Sequence, residues 1–73
     1  MHPIKRYRMV KGLTQTDLAK QVGVSPASVQ FWETGSGPRP KSFRKVCEVL
    51  DIDSLQLINE IETWSKEEGT RKQ

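Results

Sequence analysis

Residues 13–35 read LTQTDLAKQVGVSPASVQFWETG, and this stretch leaves the backbone few options. Leu18, Ala19 and Val22 fall at helical spacing and share one inward face. Gly23 follows at once, where the chain must leave the helix through a left-handed conformation that glycine reaches cheaply. Ser25 then supplies an N-cap oxygen, and Pro26 suits the first helical position, whose N–H would be unpaired in any case. In the helix that follows, Val29 and Trp32 point inward. Ala27, Gln30, Phe31 and Thr34 recur at i, i+3, i+4 and i+7 on the opposite face. Gly35 closes that helix. The spacing predicts two short helices across a tight turn, the second carrying an outward stripe.

The remainder reads as further helices without strands, giving an all-α, compact five-helix domain. Helix 1 is predicted over 3–11, opened by Pro3 and ended by Gly12, with Ile4, Tyr7 and either Met9 or Val10 inward. Helix 2 covers 15–22 with Thr14 as N-cap, and helix 3 covers 26–34. Residues 36–40, SGPRP, form the one Pro/Gly-rich loop. Helix 4 is predicted over 42–50, with Phe43, Val46, Cys47 and Leu50 on one face. Asp53 caps helix 5, which carries Leu57, Ile58, Ile61 and Trp64 and extends to about Lys66. The expected division is one domain over 1–66 and a polar, flexible tail over 67–73. At 73 residues there is room for a single core, which buries only about 60% of the unfolded surface.

Charge is more informative by location than in total. The net charge is +3, but residues 1–45 carry a balance of +7 and residues 46–73 a balance of −4. The basic half contains the two-helix unit, where a polyanionic backbone would have to dock. One cysteine excludes an internal disulfide framework and suits a reducing compartment. The start, MHPIKRYR, has no apolar run, and no segment approaches a membrane span, so a cytoplasmic location is expected.

The two-helix unit is a helix-turn-helix pattern, and its residues resemble the lambda-repressor-like (Cro/cI, Xre) helix-turn-helix family. Gln15 opens the first helix of the unit, Ala19 is the small residue at the helix crossing, and Gly23 is the turn glycine. Val29 and Trp32 match the buried positions of the recognition helix. Glu33-Thr34-Gly35 resembles the family's Glu-Asn-Gly ending, and RPKSF at 39–43 its approach to the fourth helix. The resemblance covers residues 3–59 or so, most of the chain.

That resemblance implies a DNA-binding transcriptional regulator with double-stranded DNA as partner, of the phage-repressor type and acting as a homodimer on a palindromic operator. It places a phosphate contact at Gln15, and it matches Arg39 and Lys41 to basic positions along the DNA backbone, Lys41 near the minor groove. Ser28 and Thr34 are short hydroxyls flanking the recognition face and suited to phosphates. Pro26, Ala27 and Phe31 match the family's base readers, although all three are apolar here. Ala27 and Phe31 suit thymine methyl groups, and Gln30 suits adenine. An exposed aromatic such as Phe31 suits a protein contact as well. Arg8 and Glu33 match positions where some relatives tie helix 1 to helix 3; the alternative is two unrelated surface charges. Leu55, Ile61 and Trp64 are the expected dimer residues, with Trp64 folding back over helix 1 as the competing reading.

Little in the chain suggests catalysis. His2 stands at what reads as a mobile chain end, and Cys47 on the core face of helix 4 reads as a small buried hydrophobe. Zinc spacing and phosphate-binding glycine loops are missing from the sequence, and Glu60 and Glu62 read as solvated surface. No enzyme activity, cofactor or metal is expected. The alternative function is an antitoxin or adaptor that binds a protein partner through the same fold.

Overall fold

Four of the five helices begin where a side chain accepts from an amide of the first turn, and the fourth helix opens on a proline instead. The computed structural model describes residues 1–35 and 37–71, with side chains as far as Glu68. Five helices follow one another: α1 (Pro3–Val10), α2 (Gln15–Val22), α3 (Pro26–Thr34), α4 (Pro40–Leu50) and α5 (Ser54–Arg71). The Thr14 hydroxyl accepts from Asp17 N–H while the Asp17 carboxylate accepts from Thr14 N–H, both at 3.0 Å, a reciprocal cap on α2. Ser25 Oγ accepts from Ser28 N–H to start α3. Asp53 Oδ2 accepts from Leu55 and Gln56 N–H at 3.1 and 3.2 Å and so starts α5. Pro40 opens α4 two residues before the expected start at Ser42. Proline's fixed φ fits the first helical position, so the loop ends inside the Pro-rich stretch.

The turn between α2 and α3 is closed by Gly23, whose φ of 91° lies in the left-handed region. Its N–H and that of Val24 both donate to Ala19 O, at 2.8 and 2.9 Å. Gly35 ends α3 differently, with an extended backbone at φ −138° and ψ −146°.

Ile4, Leu18, Val29, Val46 and Leu57 are fully buried at the centre, joined by Ala19, Trp32, Cys47, Leu50 and Ile61. α2 packs on α3 and α4, while α5 lies across α1 and α4. The domain measures 36 × 23 × 23 Å. Met9 and Val10, one of them expected inward on α1, are both turned out, at 53% and 80% exposure. The inward stripe of α1 is instead Ile4, Tyr7 and Arg8, the i, i+3, i+4 set, so a charged residue takes the place assigned to an apolar one. On α5 the stripe is Leu57, Ile61 and Trp64; Ile58, expected inward, sits on its flank and is 40% exposed. α5 continues to Arg71, past the expected end at Lys66, so the proposed boundary between domain and tail falls inside a helix; Lys72 and Gln73 of that tail lie outside the described residues.

Gly37 also has a positive φ, 94°, and a Cβ there would stand 3.2 Å from Ile61 Cδ1. Around Gly23 a Cβ would meet nothing within 4 Å. Gly23→Ala should therefore lower stability by about 1–2 kcal/mol through backbone strain alone. Gly37→Ala should lower it further, because Ile61 must also shift. Urea unfolding of both variants checks the order, and a Gly37→Ala variant milder than Gly23→Ala contradicts the packing described.

Candidate nucleic-acid interface

One face of α3 has no protein cover. Val29, Trp32 and Glu33 are buried against α1 and α2, while Pro26, Ala27, Gln30, Phe31 and Thr34 are exposed. Phe31 is 74% exposed, unusual for so large an apolar side chain.

The inward face of α3 is held by charge as well as by packing. Arg8 Nε donates to Glu33 Oε2 at 2.7 Å and Arg8 Nη2 to Glu33 Oε1 at 3.2 Å, a two-pronged pair. Both residues are buried, at 7% and 8% exposure. Arg8 Nη1 also donates to Leu13 O at 2.7 Å, and Gln15 Nε2 donates to Glu33 Oε1 at 3.0 Å. One carboxylate thus joins α1, the first residue of α2 and the end of α3, and its Arg8 partner also holds the loop after α1. Among the described residues no buried side-chain nitrogen or oxygen lacks a hydrogen-bond partner.

Two helix starts, one of them joined to α3 through Gln15 and Glu33, offer polar groups of their own. The reciprocal cap of α2 uses the amides of Thr14 and Asp17, leaving those of Gln15 and Thr16 out of it. The Thr14 N–H and hydroxyl hold Asp17 below the usual carboxylate range, so this cap is charged at neutral pH. No described side chain caps α4, whose start carries exposed Arg39 and Lys41. The partial positive charge of such helix ends favours an anion. Ser28 and Thr34 are partly committed elsewhere. The Ser28 hydroxyl lies 3.2 Å from that of Ser25, and the Thr34 hydroxyl donates back to Phe31 O at 3.1 Å. Gln15, assigned a phosphate by resemblance, is half-buried with its amide on Glu33.

A helix-turn-helix family model matches residues 4–57, which span α1 to the first turn of α5 and include the whole α2–turn–α3 unit. The chain belongs to the Cro/cI-like helix-turn-helix family. It is similar to two uncharacterized HTH-type transcriptional regulators of Archaeoglobus fulgidus, 33% and 35% identical to it. Each comparison covers 86% of this chain and 94% or 93% of the relative. No solved structure matches.

Within this helix-turn-helix domain the remaining site residues fall in two places. Leu55 is 65% exposed and lines a depression with Met1, Pro3 and Trp64. Ile61 is 6% exposed and belongs to the core; its outer edge opens on the other side of α5, toward Pro38 and Phe43. The three expected dimer residues therefore do not form one surface. Trp64 is half-buried against His2 at the start of α1, as the competing reading has it.

Sequence reasoning missed two features of this helix-turn-helix protein. His2 is not at a loose end: it is 2% exposed and caps α1. A side chain before Pro3 at the first helical position was a signal for a cap, though histidine is an uncommon residue there. Glu60, read as solvated surface, accepts from Arg6, from the Tyr7 hydroxyl and from Gln56. Desolvation raises its pKa, but these donors outweigh it and hold the carboxyl below its usual range, and the same contact pushes the Tyr7 phenol up. No local pattern marks a contact between residues 53 positions apart. Among the described residues no group of His, Cys, Asp and Glu is placed to hold a metal, and no helix is long and apolar enough to cross a membrane.

Removing one partner of a buried pair strands the other charge, at about 3–5 kcal/mol. Arg8→Met should therefore bring this small domain close to unfolding, since such domains have about 5–15 kcal/mol in all. Arg8→Met with Glu33→Leu should recover much of the loss, because neither charge is then left alone. Thermal and urea unfolding of the single and double variants checks this, and a double variant as unstable as the sum of its singles contradicts it.

Proposed function

We propose that this chain is a sequence-specific, DNA-binding transcriptional regulator that lays the exposed face of α3 in the major groove. The observation that carries this reading is the division of α3 into a fully engaged inner face and an uncovered outer one. It agrees with the family, whose members are ordinarily not enzymes, and with both archaeal relatives, which are named as HTH-type transcriptional regulators. In this reading Gln30 pairs with adenine, and Ala27 and Phe31 pack on thymine methyl groups. Pro26 shapes the start of the helix and offers only apolar contact. The amides of Gln15 and Thr16, the second hydrogen of the Gln15 side-chain amide, and Arg39 and Lys41 meet phosphates, with Lys41 nearest the minor groove. Ser28 and Thr34 join them by exchanging their present hydroxyl partners for phosphate.

A unit of this size reads a few base pairs, so two copies about 34 Å apart on a palindromic operator are the proposed assembly, as in a phage-type repressor. The partner surface is proposed along α5, with Leu55 and the open edge of Trp64 in contact and Ile61 supporting them from the core. Leu55→Glu should then yield monomers in sedimentation and weaker operator binding with the fold intact. A wild type that remains monomeric on its operator contradicts this assembly.

A second reading rests on Phe31, whose exposure also suits an antitoxin or adaptor docking a protein on α3. Salt dependence separates the two. For DNA the logarithm of affinity should fall linearly with the logarithm of salt concentration as counterions are released. Replacing Arg39 and Lys41 by Ala should weaken all duplexes alike and flatten that slope by about two phosphates' worth. Gln30→Ala should instead relax preference at one base pair by about 1–3 kcal/mol. Binding to duplexes selected from a random pool, measured by fluorescence anisotropy across salt, tests this. Salt-independent or absent DNA binding favours the protein-docking reading.

A further inference from the structure

His2, Gly35 and Trp64 come from three separate elements and meet at one imidazole ring. His2 Nδ1 accepts the Ile4 N–H at 3.1 Å, and Nε2 lies 3.1 Å from Gly35 O. The ring stands edge-on to Trp64, with centroids 4.7 Å apart and planes at 65°. These contacts fix the tautomer. A ring nitrogen that accepts from an amide carries no hydrogen, so the neutral ring holds its hydrogen on Nε2 and donates it to Gly35 O. Capping α1 uses Nδ1 alone and is a task that Ser or Asn performs with less bulk. The second nitrogen does something a cap does not: it holds the residue directly after α3, whose own N–H is bonded to Trp32 O.

We propose that His2 is a positioning residue for DNA reading, which through the Gly35 carbonyl fixes the last turn of α3, with Phe31 and Thr34, against α1 and α5. The inference rests on the DNA-binding reading above. It completes the support of α3, since Glu33 ties the helix toward α1 and α2 while His2 ties its end toward α5.

The proton-sensitive half of this bridge is its α1 end: a proton added at Nδ1 would face the Ile4 N–H donor to donor, while Nε2 would still donate to Gly35 O, so the ring could no longer tie Gly35 to the start of α1. Burial is the main cause pushing the His2 pKa below its ordinary value. The Gly35 carbonyl and the Glu33 charge pull it partly back, and the Met1 amino group pushes it down. Around the depression beside Trp64 the other charged groups are Arg6, Asp53, Glu60 and Glu67, of which Arg6 and Glu60 are held on each other. A folded pKa below the unfolded value of about 6.5 means the two-sided bridge from Ile4 N–H to Gly35 O is fully present above that pH and is lost, at its Ile4 end, as pH falls through the lower, folded value. His2 is the only histidine in the chain, so the titration belongs to one residue.

The test measures binding of a duplex selected with the wild type near neutral pH, by anisotropy from about pH 7.5 down to about pH 5, with circular dichroism at each step. The wild type should lose about tenfold in affinity over that range while its helix content holds. His2→Asn, which retains a cap for α1 but cannot reach Gly35, should bind about tenfold more weakly near neutral pH and show a flat profile. A His2→Asn variant with wild-type affinity and the wild-type pH dependence overturns the inference. So does a wild type whose helix content falls in step with its affinity, which would make His2 a structural cap only. Should His2→Asn fail to fold, the wild-type profile and its helix content still decide. A wild type that binds no duplex near neutral pH overturns the DNA reading itself, and this inference with it.

Discussion

The buried carboxylate of Glu33 organises this small domain. A charge at 8% exposure is tolerable only with partners that offset its desolvation, and Glu33 has Arg8 in a two-pronged grip and Gln15 beside it. Those partners belong to α1 and to the start of α2, so satisfying one carboxylate sets the place of α3 against both helices. Hydrophobic packing alone would bury Val29 and Trp32 with less constraint on how α3 rotates about its axis. The ion pair requires Glu33 to face α1, and with it Pro26, Ala27, Gln30 and Phe31 must face outward. The electrostatic constraint therefore acts directly on the surface proposed to read bases.

Local signals made the centre of the fold readable. Gly23, Ser25 and Pro26 act within a few residues of one another, and they put α2 over Gln15–Val22 and α3 over Pro26–Thr34. The inward face of α1 was harder to read, because Met9 and Val10 are apolar and adjacent to the true stripe. Propensity favours burying them; the partner waiting at Glu33 brings Arg8 inward instead, a pairing to which the resemblance pointed. Likewise the apolar count of α5 suggested one partner surface, while the helical phase sends Ile61 into the core and leaves Leu55 and Ile58 on separate flanks.

His2 and Glu60 show where reading from sequence stops. Each is satisfied by a group far along the chain: the Gly35 carbonyl for His2, and Tyr7 and Arg6 for Glu60. Neither leaves a periodic trace. Together with Trp64 they fasten α5 to α1. The support of α3 is thus distributed among a buried pair, a ring at the chain start and an apolar centre shared by every helix.

In the proposed reading this support leaves the outer face of α3 and the starts of α2 and α4 free to engage a DNA duplex. Backbone amide shifts of isotopically labelled protein, recorded with and without a duplex selected from a random pool, test it most directly. The largest changes are expected at Gln15, Thr16, Ala27, Gln30 and Phe31 and at the start of α4 near Lys41, with Val46 and Leu57 in the core little moved. Changes confined to α5 and the end of α4, with α3 silent, would contradict it.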